Sequence, residues 1–523
     1  MASAQDLILA IDLGTSGVKA AVVAVDGRIL GTGGTTKVET MLCPNGGAEQ
    51  DPNVVWDTVV TTCQEAMAHI DDASRVMGVA CCSQFSSTIP VDADGNHLMN
   101  MVVWMDKRGS PAALRKLPGG KKLVSGPLDV LRFIHVHGVP PLNGGTDSLA
   151  HMRWIKIARP EVYAKTAAFL EPMDYVNLKL TGRAATNPCS CFLGLLVDNR
   201  KLLQPRYCPG LVRLSGIDAD KLPELLRVDE DIGTLLPHVA AQLGVPSGIR
   251  VFGGVNDTQA GSFGSYALSG NHAGMSLGTT SVLVTHVGFK KTDPFLGLVS
   301  MPSPIPGRYL IMAENGIGGR AVEYFLKKIV FATDGFANHS LDDEFAALHR
   351  AIANVEPGAG GVLFLPWLNG SLSPIEDGSM RGGFLNMSLE TTREQLGLAA
   401  LEGVAFNFRW MRGGVEKFCK RRLSHLVFYG GGALSDVWSQ IFADIAELPI
   451  YQAENPRFTL CRGAGLLGFY RAGRLDLDDL EKRIPIKKIY EPRTEFAPRY
   501  AAMFEQFVRA FRANRKIFHT LNR

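Results

Sequence analysis

The stretch LILAIDLGTSGVKAAVVAVDGRIL, residues 7–30, opens the chain and predicts two strands joined by a tight turn. Its first residues, Leu7–Ile11, are apolar and rich in branched side chains, which favours a strand. Gly-Thr-Ser-Gly at 14–17 favours a turn, and the apolar run from Val18 returns as a second strand. The Asp-Gly pair at 26–27 is typical of a hairpin turn and ends the second strand.

Strands and helices alternate in the sequence that follows. Asp51 and Pro52 predict the start of a helix, because Asp caps helix N-termini and Pro fits the first turn. Apolar runs at 76–83 and 101–105 predict further strands, with an Asp-Gly turn between them. This mixture predicts α/β or α+β layers rather than a helical bundle or an all-β sandwich.

The composition predicts a folded chain of two domains or one large one. Of the 523 residues, 46% are hydrophobic, which is enough for a packed core and excludes a disordered chain. Charged residues make up 20% and the net charge is +3, so neither nucleic acid nor an anionic membrane is predicted as the main partner. No apolar run is long enough to cross a membrane and no basic segment opens the chain, so we predict a cytoplasmic protein.

The nine cysteines are odd in number and lie scattered in apolar surroundings. This pattern predicts reduced thiols rather than a disulfide framework. The pairs Cys81–Cys82 and Cys189–Cys191 lack a complementary Cys or His pair at zinc-site spacing, so no metal site is predicted there.

A stretch rich in Pro and Gly, GVPSGIRVFGG at 244–254, is the predicted domain boundary. It divides the chain into a first lobe, 1–248, and a second lobe, 249–485, with a C-terminal helical tail at 486–523. After it, GMSLGTTSVLVTHV at 274–287 repeats the strand, Leu-Gly-Thr turn and strand of the opening. We therefore predict a duplicated lobe in which two similar turns face each other.

Three glycine-containing segments predict a nucleotide site. Glycine lets backbone N–H groups approach phosphates closely, and a Thr hydroxyl adds a donor, so the two Gly-Thr turns suit a polyphosphate. A third segment, HLVFYGGGALSDVW, predicts a strand, a glycine run and a helix, a junction that suits a nucleotide. Together they predict ATP. The predicted cofactor-binding residues are Gly14, Thr15, Ser16, Gly278, Thr279, Thr280, Gly430, Gly431, Gly432 and the helix-capping Ser435.

A fourth glycine segment, Gly463–Gly468, matches the G-x-G-x-x-G pattern of dinucleotide sites but follows no predicted strand. Close packing of a helix explains these glycines better.

Two aspartates follow predicted strands beside these turns. Asp12 lies next to the first turn, where a carboxylate beside phosphates calls for Mg²⁺ between them. Asp257 follows a strand and a glycine pair, and its alternative role is N-cap of the next helix. In phosphoryl transfer it suits a general base for an attacking hydroxyl, and both aspartates are predicted Mg²⁺ ligands.

The ordered series of motifs resembles carbohydrate kinases of the FGGY family, and xylulokinases most closely. DLGTSGVKA at 12–20 and SLGTTS at 276–281 resemble the family's two phosphate motifs. EQDP at 49–52 and the Trp-x-Asp-x-Arg that begins at Trp104 resemble sugar-lobe segments. GGVNDTQAG at 253–261 resembles the segment that carries the catalytic aspartate, which here is Asp257.

This resemblance implies two ribonuclease-H-like lobes of the actin/hexokinase/Hsp70 type around a deep cleft. ATP and Mg²⁺ are expected mainly on the second lobe and the sugar mainly on the first. The implied substrate residues are Gln84, Phe85, Ser86, Trp104, Asp106 and Asp257. The sequence departs from the family at 84–87, which reads Gln-Phe-Ser-Ser where xylulokinases have Gln-Met-His-Gly.

The resemblance predicts an enzyme that transfers the γ-phosphate of ATP to a terminal hydroxyl of a small sugar or polyol. D-xylulose is the first expectation, and tetritols, other ketopentoses and glycerol are alternatives. A catalytically silent sugar- and ATP-binding regulator, or a nucleotide-driven chaperone or filament protein, are rival hypotheses. The assembly state stays open, with a homodimer among the expectations.

Overall fold

The computed structural model describes residues 6–34, 36–120, 123, 126–268, 271–334, 341, 343–480 and 484–522. The strands are, in chain order, β1 (Leu7–Gly14), β2 (Gly17–Ala24), β3 (Ile29–Gly33), β4 (Met41–Cys43), β5 (Gly47–Gln50), β6 (Val76–Ser83), β7 (Ile89–Val91), β8 (Met101–Val102), β9 (Ala168–Leu170), β10 (Ala185–Thr186), β11 (Glu224–Leu225), β12 (Asp231–Thr234), β13 (Arg250–Phe252), β14 (Val255–Asn256), β15 (His272–Leu277), β16 (Ser281–Val287), β17 (Thr292–Asp293), β18 (Leu298–Pro302), β19 (Tyr309–Asn315), β20 (Leu363–Leu365), β21 (Gly383–Leu385), β22 (His425–Tyr429), β23 (Ile450–Ala453) and β24 (Ile486–Tyr490). The helices are α1 (Pro52–Met67), α2 (Pro111–Leu114), α3 (Pro127–Val136), α4 (Ser148–Ala158), α5 (Pro160–Lys165), α6 (Pro172–Thr181), α7 (Pro209–Ser215), α8 (Pro237–Leu243), α9 (Asp257–Gly264), α10 (Gly319–Phe325), α11 (Glu344–Ile352), α12 (Arg393–Cys419), α13 (Asp436–Ala446), α14 (Thr459–Arg471), α15 (Leu477–Leu480) and α16 (Ala497–Leu521).

The first large sheet is built on the predicted hairpin. Its strand order is β12-β13-β6-β1-β2-β3, and β14 also pairs with β6. β1 and β2 are antiparallel, with Leu7 opposite Ala24 and Gly14 opposite Gly17, so the predicted strand–turn–strand unit is confirmed. β6 is parallel to β1, and β13 and β14 are parallel to β6.

The second large sheet repeats this arrangement. Its order is β17-β18-β19-β16-β15-β22-β23-β24. β15, β16 and β19 form an antiparallel unit, and β22 and β23 continue from β15 in parallel. The series β19-β16-β15-β22-β23 therefore has the same order and directions as β3-β2-β1-β6-β13, which confirms the predicted duplication.

Helix α14 packs directly on the first sheet although it lies late in the chain. Its glycines permit the close approach: a Cβ at Gly463 would collide with the carbonyl oxygen of Ala260 in α9. A Cβ at Gly465 would lie 2.8 Å from the Cβ of Val23, and one at Gly468 would lie 2.8 Å from a methyl carbon of Ile8. The interpretation of this glycine pattern as close helix packing is therefore confirmed.

The strands that follow the two predicted boundaries belong to different sheets. β13 and β14 follow the proposed division at residue 248, and both hydrogen-bond to the first sheet. The predicted tail begins with β24, which pairs with β23 in the second sheet, and continues into helix α16. In α16, Phe507 and Phe511 pack on Trp367 with ring centroids 4.9 and 4.8 Å away. The tail is thus part of the second lobe's core.

All nine cysteines are free thiols. Across the ranges given above, no helix combines the length and the apolar character that a membrane crossing requires.

Candidate active site

The carboxyl ends of β1, β6 and β14 meet at one edge of the first sheet. Leu13 and Asn256 are both register partners of Ser83, because both strands run parallel to β6. The residues that follow these three strand ends therefore converge, as the ends of parallel strands do at ligand sites in α/β proteins. Three predicted site residues lie at this edge: Thr15, Gln84 and Asp257.

Asp257 is the first residue of α9 but not its cap. Asn256 caps the helix: its side chain accepts a hydrogen bond from the backbone N–H of Gln259, and the Gln259 side chain accepts one from the Asn256 N–H. The N-cap role considered for Asp257 is therefore wrong, because the preceding residue fills it. The Asp257 carboxylate instead accepts from the Thr258 N–H at 2.7 Å, which leaves it capacity for another partner.

The charges around Asp257 are mainly negative. Burial and the Asp12 carboxylate raise the pKa of Asp257 to about 6. Glu314, on β19 of the second sheet, is close enough to Asp257 to be affected by its charge. Burial and the Asp257 charge together raise the pKa of Glu314 to about 7. The amine of Lys19 lies 3.2 Å from Asp12, whose charge raises the pKa of that amine. One amine among three carboxyl groups leaves a surplus of negative charge that suits a cation.

A hydrogen-bonded chain joins predicted phosphate and sugar residues. The Thr15 hydroxyl donates to Gln84 Oε1 at 2.6 Å and accepts from Trp104 Nε1 at 3.0 Å. Gln84 donates in turn to Gln50 Oε1 at 3.1 Å, and Gln50 donates to the Thr15 carbonyl at 2.7 Å. Trp104 is 43% exposed, so a large aromatic surface stays open beside polar groups. Such a pairing suits a sugar, which has both C–H and O–H faces.

Asp106 occupies a different position from the one predicted. It is completely buried, and its carboxylate accepts from the Ala48 N–H at 2.9 Å and from the Arg108 N–H and Nε at 2.8 Å each. Arg108 also pairs with Glu49 at 2.7 Å. Asp106 therefore holds the turn that carries Trp104, rather than making the direct sugar contact that the sequence predicted.

Of the other loop residues predicted to bind sugar, Phe85 is partly buried against the core of the first lobe. Ser86 is 4% exposed, and its hydroxyl donates to the Thr146 carbonyl at 2.5 Å. The Ser86 hydroxyl therefore already has a hydrogen-bond acceptor within the protein.

On the second lobe, two predicted nucleotide segments lie side by side. β15 and β22 are parallel, with Ser276 opposite Tyr429, so the residues after them are neighbours. Gly430 has φ +87°, and a Cβ there would lie 2.8 Å from the Leu277 carbonyl oxygen, which requires glycine on both counts. Leu277 immediately precedes the turn of Gly278, Thr279 and Thr280, so the glycine run packs against the base of that turn.

The second Gly-Thr turn is open on its outer side. Gly278 and Thr279 are exposed, and a Cβ at Gly278 would meet open space. On the inner side, the carbonyl oxygens of Gly278 and Thr279 accept hydrogen bonds from Gly319 and Gly318 at the start of α10, each at 2.9 Å. The turn is thus anchored from below while its exposed face is available for a ligand.

Ser435 caps α13, as predicted, since its hydroxyl accepts from the Trp438 N–H at 3.0 Å. The same hydroxyl lies 3.0 Å from Nε2 of His349 on α11. No sequence pattern connects His349 with this segment, because the two are far apart in the chain.

The sequence reasoning also missed Lys19, Gln50 and Glu314. Lys19 had a signal: counting outward from the turn places it directly opposite Asp12 across the hairpin. Gln50 had one as well, because it lies in the EQDP segment at 49–52. Glu314 had none, because only the tertiary fold brings β19 to the site.

The donors around Asp12, Asp257 and Glu314 are oxygens, the ligand type that Mg²⁺ prefers. Within the residues that the structure places, no three His, Cys, Asp or Glu side chains come together closely enough to hold a metal ion by themselves. A Mg²⁺ ion here would therefore complete its shell with phosphate oxygens and water.

The chain matches two family models over most of its length. One, the N-terminal domain of the FGGY family of carbohydrate kinases, matches residues 7–264, and the corresponding C-terminal domain matches residues 273–472. Among curated relatives, the xylulose kinase of Bacillus subtilis is 28% identical over 511 residues, which covers 96% of this chain and 95% of the relative. The gluconokinase of Bacillus licheniformis is 24% identical over 510 residues, with coverages of 97% and 96%.

Solved structures share the fold. The gluconate kinase from Lactobacillus acidophilus superposes with a TM-score of 0.84 at 20% identity, covering 99% of each chain. The ligand-bound xylulose kinase from the same organism also has a TM-score of 0.84, at 19% identity, covering 99% of this chain and 100% of that one. The Plasmodium falciparum glycerol kinase with ADP has a TM-score of 0.79 at 18% identity, with coverages of 97% and 98%. These likenesses confirm the two-lobed actin/hexokinase-type architecture.

Proposed function

Because this chain belongs to the FGGY family of carbohydrate kinases, and so is an ATP-dependent sugar kinase, we propose that its acceptor is a five-carbon ketose, D-xylulose first, phosphorylated on a terminal hydroxyl. The observation that carries the proposal is the position of Asp257. Asp257 follows β14 at the edge where β1 and β6 also end, and Gln84 follows β6 at the same edge. Through the Thr15 hydroxyl, Gln84 is linked to Trp104, whose ring is exposed.

In the proposed reaction, Asp257 accepts the proton of the attacking hydroxyl while the new O–P bond forms. The bond between the γ-phosphorus and the bridging oxygen of ATP breaks, and ADP leaves with its electron pair. A carboxylate whose pKa is raised toward 6 is a stronger base than a solvated one and is still mostly ionised at pH 7. Trp104 would cover an apolar edge of the sugar, and Gln84 would accept from or donate to its hydroxyls.

The nucleotide in this proposal spans both lobes. The turns at 14–16 and 278–280 would contact the phosphates, and the run Gly430–Gly432 with Ser435 would contact the adenosine. Asp12 and Asp257 would hold Mg²⁺ together with the phosphates, where the ion neutralises phosphate charge. In this proposal the first lobe binds mainly the sugar and the second lobe mainly ATP. β13 and β14 belong to the first lobe, because both hydrogen-bond to β6.

The named relatives include gluconokinases, so an aldonic acid is the main competing acceptor. The identities favour the ketose, since the xylulose kinase of Bacillus subtilis is 28% identical to this chain and the gluconokinase of Bacillus licheniformis is 24% identical.

The test is ADP release at saturating ATP across D-xylulose, other ketopentoses, tetritols, glycerol and gluconate. We expect the highest kcat/KM with D-xylulose. A clear preference for gluconate or glycerol would overturn the proposed acceptor and leave the kinase activity standing. Sugar binding with no ADP release for any compound would instead favour the silent regulator.

A further inference from the structure

The loop Gln84–Ser87, which follows β6, has an unfavourable backbone conformation at its centre. Ser86 has φ +63°, in the left-handed region that residues with a Cβ seldom adopt. Such a conformation persists only where neighbouring groups fix it. The Ser86 hydroxyl supplies one such contact, to the Thr146 carbonyl.

Glu171 supplies the others from behind the loop. Its Oε2 accepts from the Ser87 N–H at 3.0 Å, and its carboxylate also interacts with the backbone N–H of Ser86. Its Oε1 accepts from the Ser148 hydroxyl. Glu171 stands at the N-cap position of α6 yet makes no capping bond to that helix, because its side chain turns to the loop.

Glu171 is almost completely buried, with 4% exposure. Burial, with a smaller contribution from the charge of Asp174, raises its pKa to about 8, although the hydrogen bonds from Ser148 and Ser87 act to lower it. A carboxyl group in such a place is costly compared with an apolar side chain of similar size. Packing alone does not explain a buried carboxyl group at this position. The adjacent backbone N–H groups of Ser86 and Ser87, which need an acceptor, do explain it.

The loop connects this carboxyl group to the candidate site. Gln84 at its start accepts the hydrogen bond from Thr15, and its N–H donates to the Leu13 carbonyl at 2.8 Å. If Ser86 relaxes out of the left-handed region, Gln84 and Phe85 move relative to Thr15 and Trp104. Within the part of the chain that the structure describes, no side-chain hydrogen bond joins Glu171 to the nucleotide segments of the second lobe.

We propose that Glu171 is a positioning residue for the sugar: it holds the backbone of Ser86 and Ser87 in the conformation that presents Gln84 and Phe85 to the acceptor. This inference rests on the proposed function, since it assigns the loop to sugar binding. It concerns sugar affinity and not the phosphoryl transfer itself.

The experiment compares Glu171→Ala, Glu171→Gln and the control Asp174→Asn, in the full-length protein with the best acceptor of the panel. Asp174 lies in α6, three residues after Glu171, and is also buried, but its carboxylate accepts from the Thr186 hydroxyl at 2.6 Å rather than from the loop. We expect Glu171→Ala to raise the sugar KM about tenfold or more, as misplacement of a binding group does. The ATP KM should stay within about twofold, and Glu171→Gln, which keeps an acceptor oxygen, and Asp174→Asn should remain close to wild type.

A rescue variant separates positioning from a general structural effect. Glycine adopts φ +63° without strain, so Ser86→Gly combined with Glu171→Ala should recover part of the lost sugar affinity. If Glu171→Ala fails to fold, Glu171→Asp replaces it, because its shorter carboxylate cannot reach the loop N–H groups, and the same rise in sugar KM is expected.

An unchanged sugar KM in the folded Glu171 variants, or an equal rise in the KM values of sugar and ATP, would overturn the inference. Sugar dissociation constants from the change in tryptophan fluorescence on binding provide a readout that does not depend on turnover. If wild-type protein binds a sugar but phosphorylates none, the proposed function fails, and the ratio of variant to wild-type dissociation constants still decides the role of Glu171. If wild-type protein binds no sugar, both proposals fail.

Discussion

Lys19 lies directly opposite Asp12 across the first hairpin, and its amine is 3.2 Å from the Asp12 carboxylate. The Lys19 amine therefore places one positive charge beside Asp12, whose own charge affects Asp257. The phosphates of ATP are proposed to bind at the same point. The Lys19 charge lowers the pKa of Asp257, but burial and the Asp12 charge outweigh it and raise that pKa to about 6.

Replacement of the proposed base should lower turnover strongly without loss of nucleotide binding. We expect Asp257→Ala to lower kcat by about 10²–10⁴-fold, the usual contribution of general base catalysis. ATP binding, measured by calorimetry, should be retained, because the nucleotide segments of the second lobe are untouched. Asp26→Ala, at the exposed far end of the hairpin, is the control, and a near-normal kcat for Asp257→Ala would rule out this base.

The activity should fall in acid with a midpoint near the pKa of Asp257. The ionised carboxylate is the form that accepts a proton, so kcat/KM should decrease as the pH drops through about 6. Asp12→Asn removes a neighbouring negative charge that raises this pKa, so the acid limb should move to lower pH. The measurement is the pH dependence of kcat/KM for both proteins, and identical midpoints would contradict the proposed coupling.

Asp12→Asn should also increase the concentration of Mg²⁺ that the enzyme needs. An amide retains one ligand oxygen but loses the negative charge that attracts the cation. A Mg²⁺ titration at constant ATP should shift to higher concentration, and Asp26→Ala should leave it in place. An unchanged titration for Asp12→Asn would remove Asp12 from the metal site.

Trp104 contributes both a ring face and a hydrogen bond, and two variants separate them. Trp104→Phe keeps an aromatic ring but loses the bond to Thr15 Oγ1, so we expect the sugar KM to rise about fivefold, the effect of roughly 1 kcal/mol. Trp104→Ala should raise it further, because the ring surface is lost as well. Steady-state kinetics with varied sugar decide the matter, and equal KM values for wild type and Trp104→Ala would remove the ring from the sugar site.

The glycines of α14 should be essential for stability. A Cβ at Gly463 would collide with the Ala260 carbonyl, so Gly463→Ala should destabilise the protein by about 1–3 kcal/mol or more. Gly413, in α12, is exposed and has no atom within 4 Å of an added Cβ, so Gly413→Ala should stabilise by up to about 1 kcal/mol. Denaturant unfolding of both variants tests this difference, and an equally stable Gly463→Ala would contradict the close packing of α14 on α9.

Local features of the fold were predictable from the sequence. The first hairpin and its repeat at 274–287 follow from strand and turn chemistry within a short stretch, and the structure contains both. The close packing of α14 followed from its glycine spacing. Features that depend on register or on distant segments were not predictable. Asn256, and not Asp257, caps α9 through a capping box, and the buried carboxylate of Asp106 pairs with Arg108.

The position of α14 has a consequence for synthesis of the chain on the ribosome. The first sheet and α9 are complete at residue 264, but the helix that covers their shared apolar face begins at Thr459. The gap is about 200 residues, which at roughly 5–20 residues per second is a wait of about 10–40 seconds. During that time Ile8, Val23 and Phe252 lack their final cover, so the nascent first lobe is exposed to aggregation until the second lobe has almost emerged.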